Sequence, residues 1–256
     1  MSGPGIDGHG PQRGDAARPG PAGASLAGVI LAAGGSTRMG RCKALLPYPL
    51  PLAGDGARPA RQEPTFLSAC AYKLAAACGE VFVVIPAGAG GEALRAAGAG
   101  LESPIAWIEN PAAERGQFHS LQLAAAAVLQ EERFAGAVIC PVDRPMFAAA
   151  TLAALVGAFN APRPRAAPSA TAGPAAGAAP APAIVKPSYA GRHGHPVLYS
   201  RGFLAAVVAA PADGNARDLA RGWAERTVTV AVDDPGILVN VDTPADYRRL
   251  TARGPS

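Results

Sequence analysis

Cysteine pairs at redox or zinc spacing are missing from this chain. Cys42, Cys70, Cys78 and Cys140 form no C-x-x-C step and no Cys/His cluster. A dithiol motif and a zinc finger are therefore not readable, and a chain this long needs no disulfide staple. Reduced thiols and a cytoplasmic location are expected. No apolar run reaches the ~18 residues that a membrane-spanning helix needs. Residues 1–25 lack an apolar segment, so they do not read as a secretory signal. Aromatic residues make up only 5% of the chain, and no run of Lys or Arg occurs. Arg13, Arg18, Arg58, Arg61, Arg163 and Arg165 stand in Pro/Gly/Ala-rich stretches without aromatic neighbours. The net charge of +4 therefore suits a small anionic substrate better than nucleic acid, and no nucleic-acid or membrane partner is expected.

Hydrophobic residues make up 49% of the chain, enough for a large core, although many are alanine. The 31 Gly and 26 Pro are concentrated in a few stretches. Residues 1–25 read as a disordered tail, because they cannot bury enough apolar surface to offset ordering. Residues 47–63 and 161–182 read as flexible insertions. One domain is expected over 26–252. Within it, short apolar runs alternate with helical periodicity. Strands are predicted near 28–33, 81–85, 105–108, 137–142, 183–186, 196–199, 227–232 and 237–241. Helices are predicted from Pro64 and near 91–98, 118–131, 148–159, 201–209, 215–223 and 244–251. This order argues a three-layer α/β/α domain with a mainly parallel sheet. Ligands of such sheets bind at the carboxyl ends of the strands.

The loop after the first strand reads Gly34-Gly35-Ser36-Thr37-Arg38-Met39-Gly40-Arg41-Cys42-Lys43. Adjacent glycines allow close backbone approach to an anion, and Arg38 and Lys43 add positive charge. It is not a P-loop, since Arg41 and Cys42 follow Gly40 where Lys and Ser/Thr are needed, and G-x-G-x-x-G is absent. An ordinary βα turn with charged surface residues fits the spacing too.

Asp143 follows an apolar strand, so it sits at the carboxyl edge, where a carboxylate can hold Mg²⁺ or cap a turn. Asp242 offers a second acid there. Thr243, Pro244 and Asp246 read as a helix start, which leaves Asp242 without a structural role. Residues 191–196 (GRHGHP) read as a hairpin turn, with Arg192, Gly194 and His195 able to meet a substrate phosphate. Residues 110–120 end in a helix N-terminus, whose unpaired N–H groups suit an anion or a base carbonyl. Asn110 and Ser120 are the candidates there.

Residues 31–43 (LAAGGSTRMGRCK) resemble the signature loop of the MobA-like NTP transferases, roughly L-A-[AG]-G-x-x-x-R-M-G-x-x-K. Asp143-Arg144-Pro145 resembles that family's metal-binding step. Residues 194–198 (GHPVL), 241–247 (VDTPADY) and the N-P-x-x-x-x-G-x-x-x-S-L spacing at 110–121 look like the molybdenum cofactor cytidylyltransferase branch. So does the Ala32-Ala33 step, where the guanylyltransferase branch tends to carry Gly. The resemblance covers about 28–48, 64–159 and 183–251. It departs at Cys42 and in the two long insertions.

The resemblance implies a Rossmann-like, GT-A-like nucleotidyltransferase domain. Leu31, Ala32, Ala33, Gly34, Gly35, Ser36, Arg38, Met39, Gly40, Lys43, Asn110 and Ser120 would bind the nucleotide. Arg38, Lys43 and Asp143 would be catalytic, and Asp143 and Asp242 would hold Mg²⁺. Arg192, Gly194 and His195 would bind the acceptor. The implied reaction moves CMP from CTP to molybdopterin-type cofactor and releases pyrophosphate. A molybdoenzyme or its chaperone is the implied partner. Three alternatives stay open: the same chemistry on a sugar phosphate or other phosphorylated alcohol, a non-catalytic molybdenum-cofactor or nucleotide-binding delivery module, and a nucleic-acid-binding protein.

Overall fold

The layering follows from apolar alternation along the first strand. The computed structural model describes residues 25–35, 39–50, 63–99, 101, 105–161 and 182–252. In it, β1 (Ser25–Leu31) turns Leu26 and Ile30 to one face and Ala27, Val29 and Leu31 to the other. Both sets are buried, so the strand reads as one apolar run. β2 (Glu80–Pro86) repeats the pattern, with Val81, Val83 and Ile85 on one side and Phe82 and Val84 on the other.

The sheet also contains β3 (Ile105–Asn110), β4 (Phe134–Pro141), β5 (Ile184–Tyr189), β6 (Arg192–His193), β7 (Val197–Ser200) and β8 (Thr227–Ala231). The order is β3-β2-β1-β4-β7-β5-β6, with β8 beside β5. β1 to β4 are mutually parallel. β7 runs antiparallel to both β4 and β5, which leaves β5 and its parallel neighbour β8 aligned with the first four. The sheet is therefore mixed and mostly parallel, as expected, and its carboxyl ends gather on one edge.

Helices α1 (Phe66–Ala75), α2 (Ala89–Gly98) and α4 (Ala149–Asn160) cover the Ile30 face. Helices α3 (Gln117–Gln130) and α5 (Arg201–Ala209) cover the Val29 face, joined by α6 (Ala216–Arg221). α7 (Pro244–Ala252) returns to the first face through Tyr247 and Leu250. Phe66, Leu67 and Leu74 pin α1, and Leu121 and Val128 pin α3. Each such burial contributes roughly 1.5–3 kcal/mol. Among the described residues no helix is long and apolar enough to cross a membrane.

Several expectations move. Ser25 opens β1 instead of closing the tail, and residues 1–24 lie outside the described ones. Ala32 and Ala33 leave the strand. The first helix begins at Phe66, not Pro64, because Thr65 and Ser68 form a reciprocal capping box. Pro47 and Tyr48, placed in an insertion, are built in: Pro47 bridges Thr65, and Tyr48 N–H donates to Pro64 O at 2.6 Å. Residues 51–62 and 162–181 of the two insertions lie outside the described residues. The strand expected at 237–241 is a 3₁₀ turn, Pro235–Leu238, followed by irregular chain. Pro235 opens that turn and Asp234 caps it at Gly236 N–H. The alternating Ile237 and Val241 are buried, and Val239 partly buried, by packing and not by a ladder.

Candidate active site

β1 and β4 lie side by side, so the loops that follow them leave the sheet together. Val142 N–H donates to Leu31 O at 3.1 Å, and Ala32 N–H donates to Val84 O at 2.9 Å. These bonds fix the chain at the point where β1 ends. They also engage backbone groups of Leu31 and Ala32, two residues expected to bind the nucleotide.

A cleft of about 600 Å³ opens beyond this point. Leu31, Ala32, Ala33, Gly34 and Gly35 form its floor. Lys43, Asp143 and Asp242 form one wall, and the start of α3 forms the other through Gly116, Gln117 and Ser120. The volume is in the range of small-molecule sites.

Lys43 is the centre of the charged wall. Its Nζ donates to Asp242 Oδ1 at 2.5 Å and to Asp143 Oδ2 at 3.3 Å. All three side chains are partly buried, with 13%, 31% and 26% of the lysine, Asp242 and Asp143 side chains exposed. They meet because a 3₁₀ turn (Lys43–Leu45) follows the first loop and because Val241 N–H donates to Asp143 O at 3.0 Å. That backbone bond ties the returning chain to the end of β4. Asp242 is fixed further from below. Asp246 accepts from the Asp242 and Thr243 N–H groups and from the Thr243 hydroxyl. The Thr243 hydroxyl bond, with the backbone donors, holds the partly exposed Asp246 carboxyl below the usual range.

The turn carrying Asp143 is also braced. Lys73 on α1 donates to Pro145 O and to Tyr48 Oη, both at 2.7 Å, and sits over the Tyr48 and Phe147 rings. Burial lowers the Lys73 pKa, and burial pushes the Tyr48 phenol up to about 12.

The opposite wall rests on Asn110. Its Nδ2 donates to Ser120 Oγ at 2.9 Å, and its Oδ1 accepts from Ala112 N–H at 2.9 Å. Asn110 is buried behind Ser120 and does not line the cleft. Gly116 precedes α3 with φ at 90°, a conformation that side chains resist.

The other expected residues divide. Met39 is buried in the core, and Gly40 borders a neighbouring depression of about 410 Å³ on the α2 side. Ser36 and Arg38 lie outside the described residues. Arg192, Gly194 and His195 do not line the cleft. Arg192 is exposed on β6. Gly194 packs so closely on the 235–238 turn that a Cβ would stand 2.3 Å from Ile237 O. His195 N–H donates to that same oxygen at 3.1 Å. The imidazole is pushed down to about 4, first by burial and then by the Arg144 charge, against a hydrogen bond with the Ile139 backbone.

Ala113, Glu114, Gly116 and Gln117 border the cleft without having been predicted. Their signal was the glycine inside the N-P-x-x-x-x-G-x-x-x-S-L spacing. Asn240, which donates to Asp242 Oδ2 at 2.6 Å, was missed as well. It carried no signal beyond its place two residues before the acid.

A glycine-floored cleft with a lysine and two carboxylates on one wall thus stands at the carboxyl edge of a mostly parallel α/β/α sheet. The chain belongs to the family described as the MobA-like NTP transferase domain, whose model matches residues 28–230. It is a nucleotidyltransferase by that membership. Among solved structures, Rv0371c from Mycobacterium tuberculosis H37Rv is 26% identical, with 89% of this chain and 98% of that one covered and a TM-score of 0.64. The Rv0371c complex with manganese is likewise 26% identical, covers 90% and 98%, and gives a TM-score of 0.61. A nucleotidyl transferase from Methanothermobacter thermautotroptrophicus (Mth528) is 20% identical, covers 90% and 98%, and gives a TM-score of 0.62. At that identity the last likeness concerns the fold alone. No curated protein matches the chain.

Proposed function

We propose that this protein transfers CMP from CTP to a molybdopterin-type phosphorylated acceptor in the cytoplasm, with release of pyrophosphate. Residues 26–252 act as one catalytic unit in this reading. The observation that carries it is the Lys43 ammonium between Asp143 and Asp242 on the wall of a glycine-floored cleft. The choice of CTP rests on the Ala32-Ala33 step, and the choice of acceptor on the 194–198 and 241–247 segments.

A divalent metal fits the residues present. Two carboxylates already share one cation, the lysine ammonium, which stands where a positive charge is favoured. Mg²⁺ commonly takes one or two carboxylates and completes its shell with phosphate oxygens and water. Asp143 and Asp242 would hold it, and it would supply charge neutralisation at the α-phosphate. The similarity to an Rv0371c structure in complex with manganese supports a divalent ion in this reading.

The chain's own groups do the rest. An anionic acceptor meets strong repulsion from a triphosphate, so neutralisation and positioning dominate. Lys43, with Arg38, stabilises the β- and γ-phosphates as charge grows on the leaving pyrophosphate. Gly34 and Gly35 let the main chain approach the phosphates closely. Ser120, held by Asn110, bounds the nucleoside end of the cleft. No residue need act as general base, because a phosphate monoester is largely ionised at pH 7. Arg192 is exposed and suited to an acceptor phosphate, while Gly194 and His195 shape the hairpin that carries it.

Pyrophosphate release tests this directly, with CTP, GTP, UTP and ATP each offered against molybdenum cofactor and a set of sugar phosphates. Release with CTP and molybdenum cofactor is the expected result. Release only with a sugar phosphate would move the acceptor class, and no release with any pair would remove the catalytic reading.

A further inference from the structure

We propose that Asn240 is a positioning residue for Asp242, holding one carboxylate oxygen so that the other faces the cation. The inference rests on the metal assignment above. Asn240 Nδ2 donates to Asp242 Oδ2 at 2.6 Å, while Asp242 Oδ1 accepts from Lys43 at 2.5 Å. The two oxygens of one carboxylate are thus committed to different partners. The amide orientation is chemically fixed, because only its NH₂ end can donate to an ionised acid.

The other end of the amide shows that stability alone does not keep it there. Asn240 Oδ1 is buried and has no hydrogen-bond partner among the described residues. A buried carbonyl that gives up water without a new donor destabilises the fold. An apolar side chain of the same shape would avoid that cost. Asn240 therefore accepts an orphaned oxygen, and its hydrogen bond goes to the acid at the cleft.

Other contacts to this segment act on the main chain. Asp246 accepts from the Asp242 and Thr243 N–H groups, and Val241 N–H donates to Asp143 O. They set where Asp242 stands. The Asn240 amide acts on the carboxylate itself and opposes its rotation. Residues that orient metal-binding groups in this way commonly change metal affinity by about 10- to 100-fold when removed.

The experiment is a Mn²⁺ titration of the full chain without nucleotide, followed by electron paramagnetic resonance, beside a thermal melt. Asn240→Leu should weaken Mn²⁺ binding by about tenfold or more while moving Tm by less than about 2 °C. Asn240→Ala serves as the second variant should leucine disturb packing. In an Asp242→Ala background, Asn240→Leu should add nothing, since the amide then has no carboxylate to orient. Unchanged Mn²⁺ affinity in both Asn240 variants overturns the proposal. So does an equal loss with Asp242 already removed, or a loss matched by a fall in Tm of many degrees in both variants. Asp242→Ala alone separates the two layers: if it binds Mn²⁺ normally, the metal assignment itself falls. If it loses binding and the Asn240 variants do not, only the positioning role falls.

Discussion

Two loop systems leave the carboxyl edge of the same sheet and end differently. On the β1–β4 side the chain after each strand stays open, and residues 31–35 and 142–143 face the cleft. On the β5–β7 side the hairpin that carries Arg192 to His195 is capped by the 235–238 turn, which accepts from His195 N–H and crowds Gly194. Standing at the right edge is therefore not enough to place a residue in a site. What else packs on that edge decides it. The second side still contributes to the cleft, but through Asp242, which the chain reaches only after β8 and the same capping turn.

The sharpest way to break this comparison is Asp143→Ala. Turnover should fall to background while the melt stays cooperative, since the acid's side chain is partly exposed. Normal pyrophosphate release would show that the open side carries no chemistry. Lys43→Ala should lower kcat by ~10²-fold or more, the scale of one lost transition-state donor. A rate near that of the parent would make the lysine a mere counter-ion for its two acids. Arg192→Ala probes the capped side, where the effect should fall on acceptor KM alone, by about tenfold. A change in nucleotide KM instead would place the hairpin nearer the nucleotide than the cleft walls allow.

The smallest effect concerns stability on the capped side. His195 has its pKa pushed down to about 4 from an ordinary 6.5, so the folded ring stays neutral where the unfolded chain takes a proton. The stability associated with the neutral ring is fully present above about pH 6.5 and is lost as pH falls toward 4. The slope should approach about 1.4 kcal/mol per pH unit within that window. His195→Gln should flatten this part of the denaturation curve. An unchanged curve would show that the ring is hydrated and the hairpin is not closed.

Much of this was legible. The apolar runs of β1, β2 and β4 could be read because strands covered on both faces are apolar throughout. Asp143 could be picked out because it follows such a run closely, and Lys43 because it closes the glycine-rich charged loop after another. The turn at 235–238 could not, since Ile237, Val239 and Val241 alternate as a strand would, and packing against β5 and the β6 hairpin produces the same pattern. Tyr48 was hidden by the proline-rich composition around it, although Lys73 draws it into the core beneath the Asp143 turn. Asn110 was expected to bind the nucleotide and is instead buried behind Ser120, off the cleft lining, a distinction that spacing cannot make.

By itself the sequence determined most of the strands, which loops carry charge, and that Asp143 stands at a strand end. These are local properties, set by periodicity and by the residues next in the chain. Only the tertiary structure decided that Lys43 meets acids 100 and 199 positions away. It also decided that His195 is sealed and that Asn240 grips a carboxylate. Those outcomes depend on which faces are buried together, and that is settled by the packing of the whole sheet and its helices, not by any one stretch of chain.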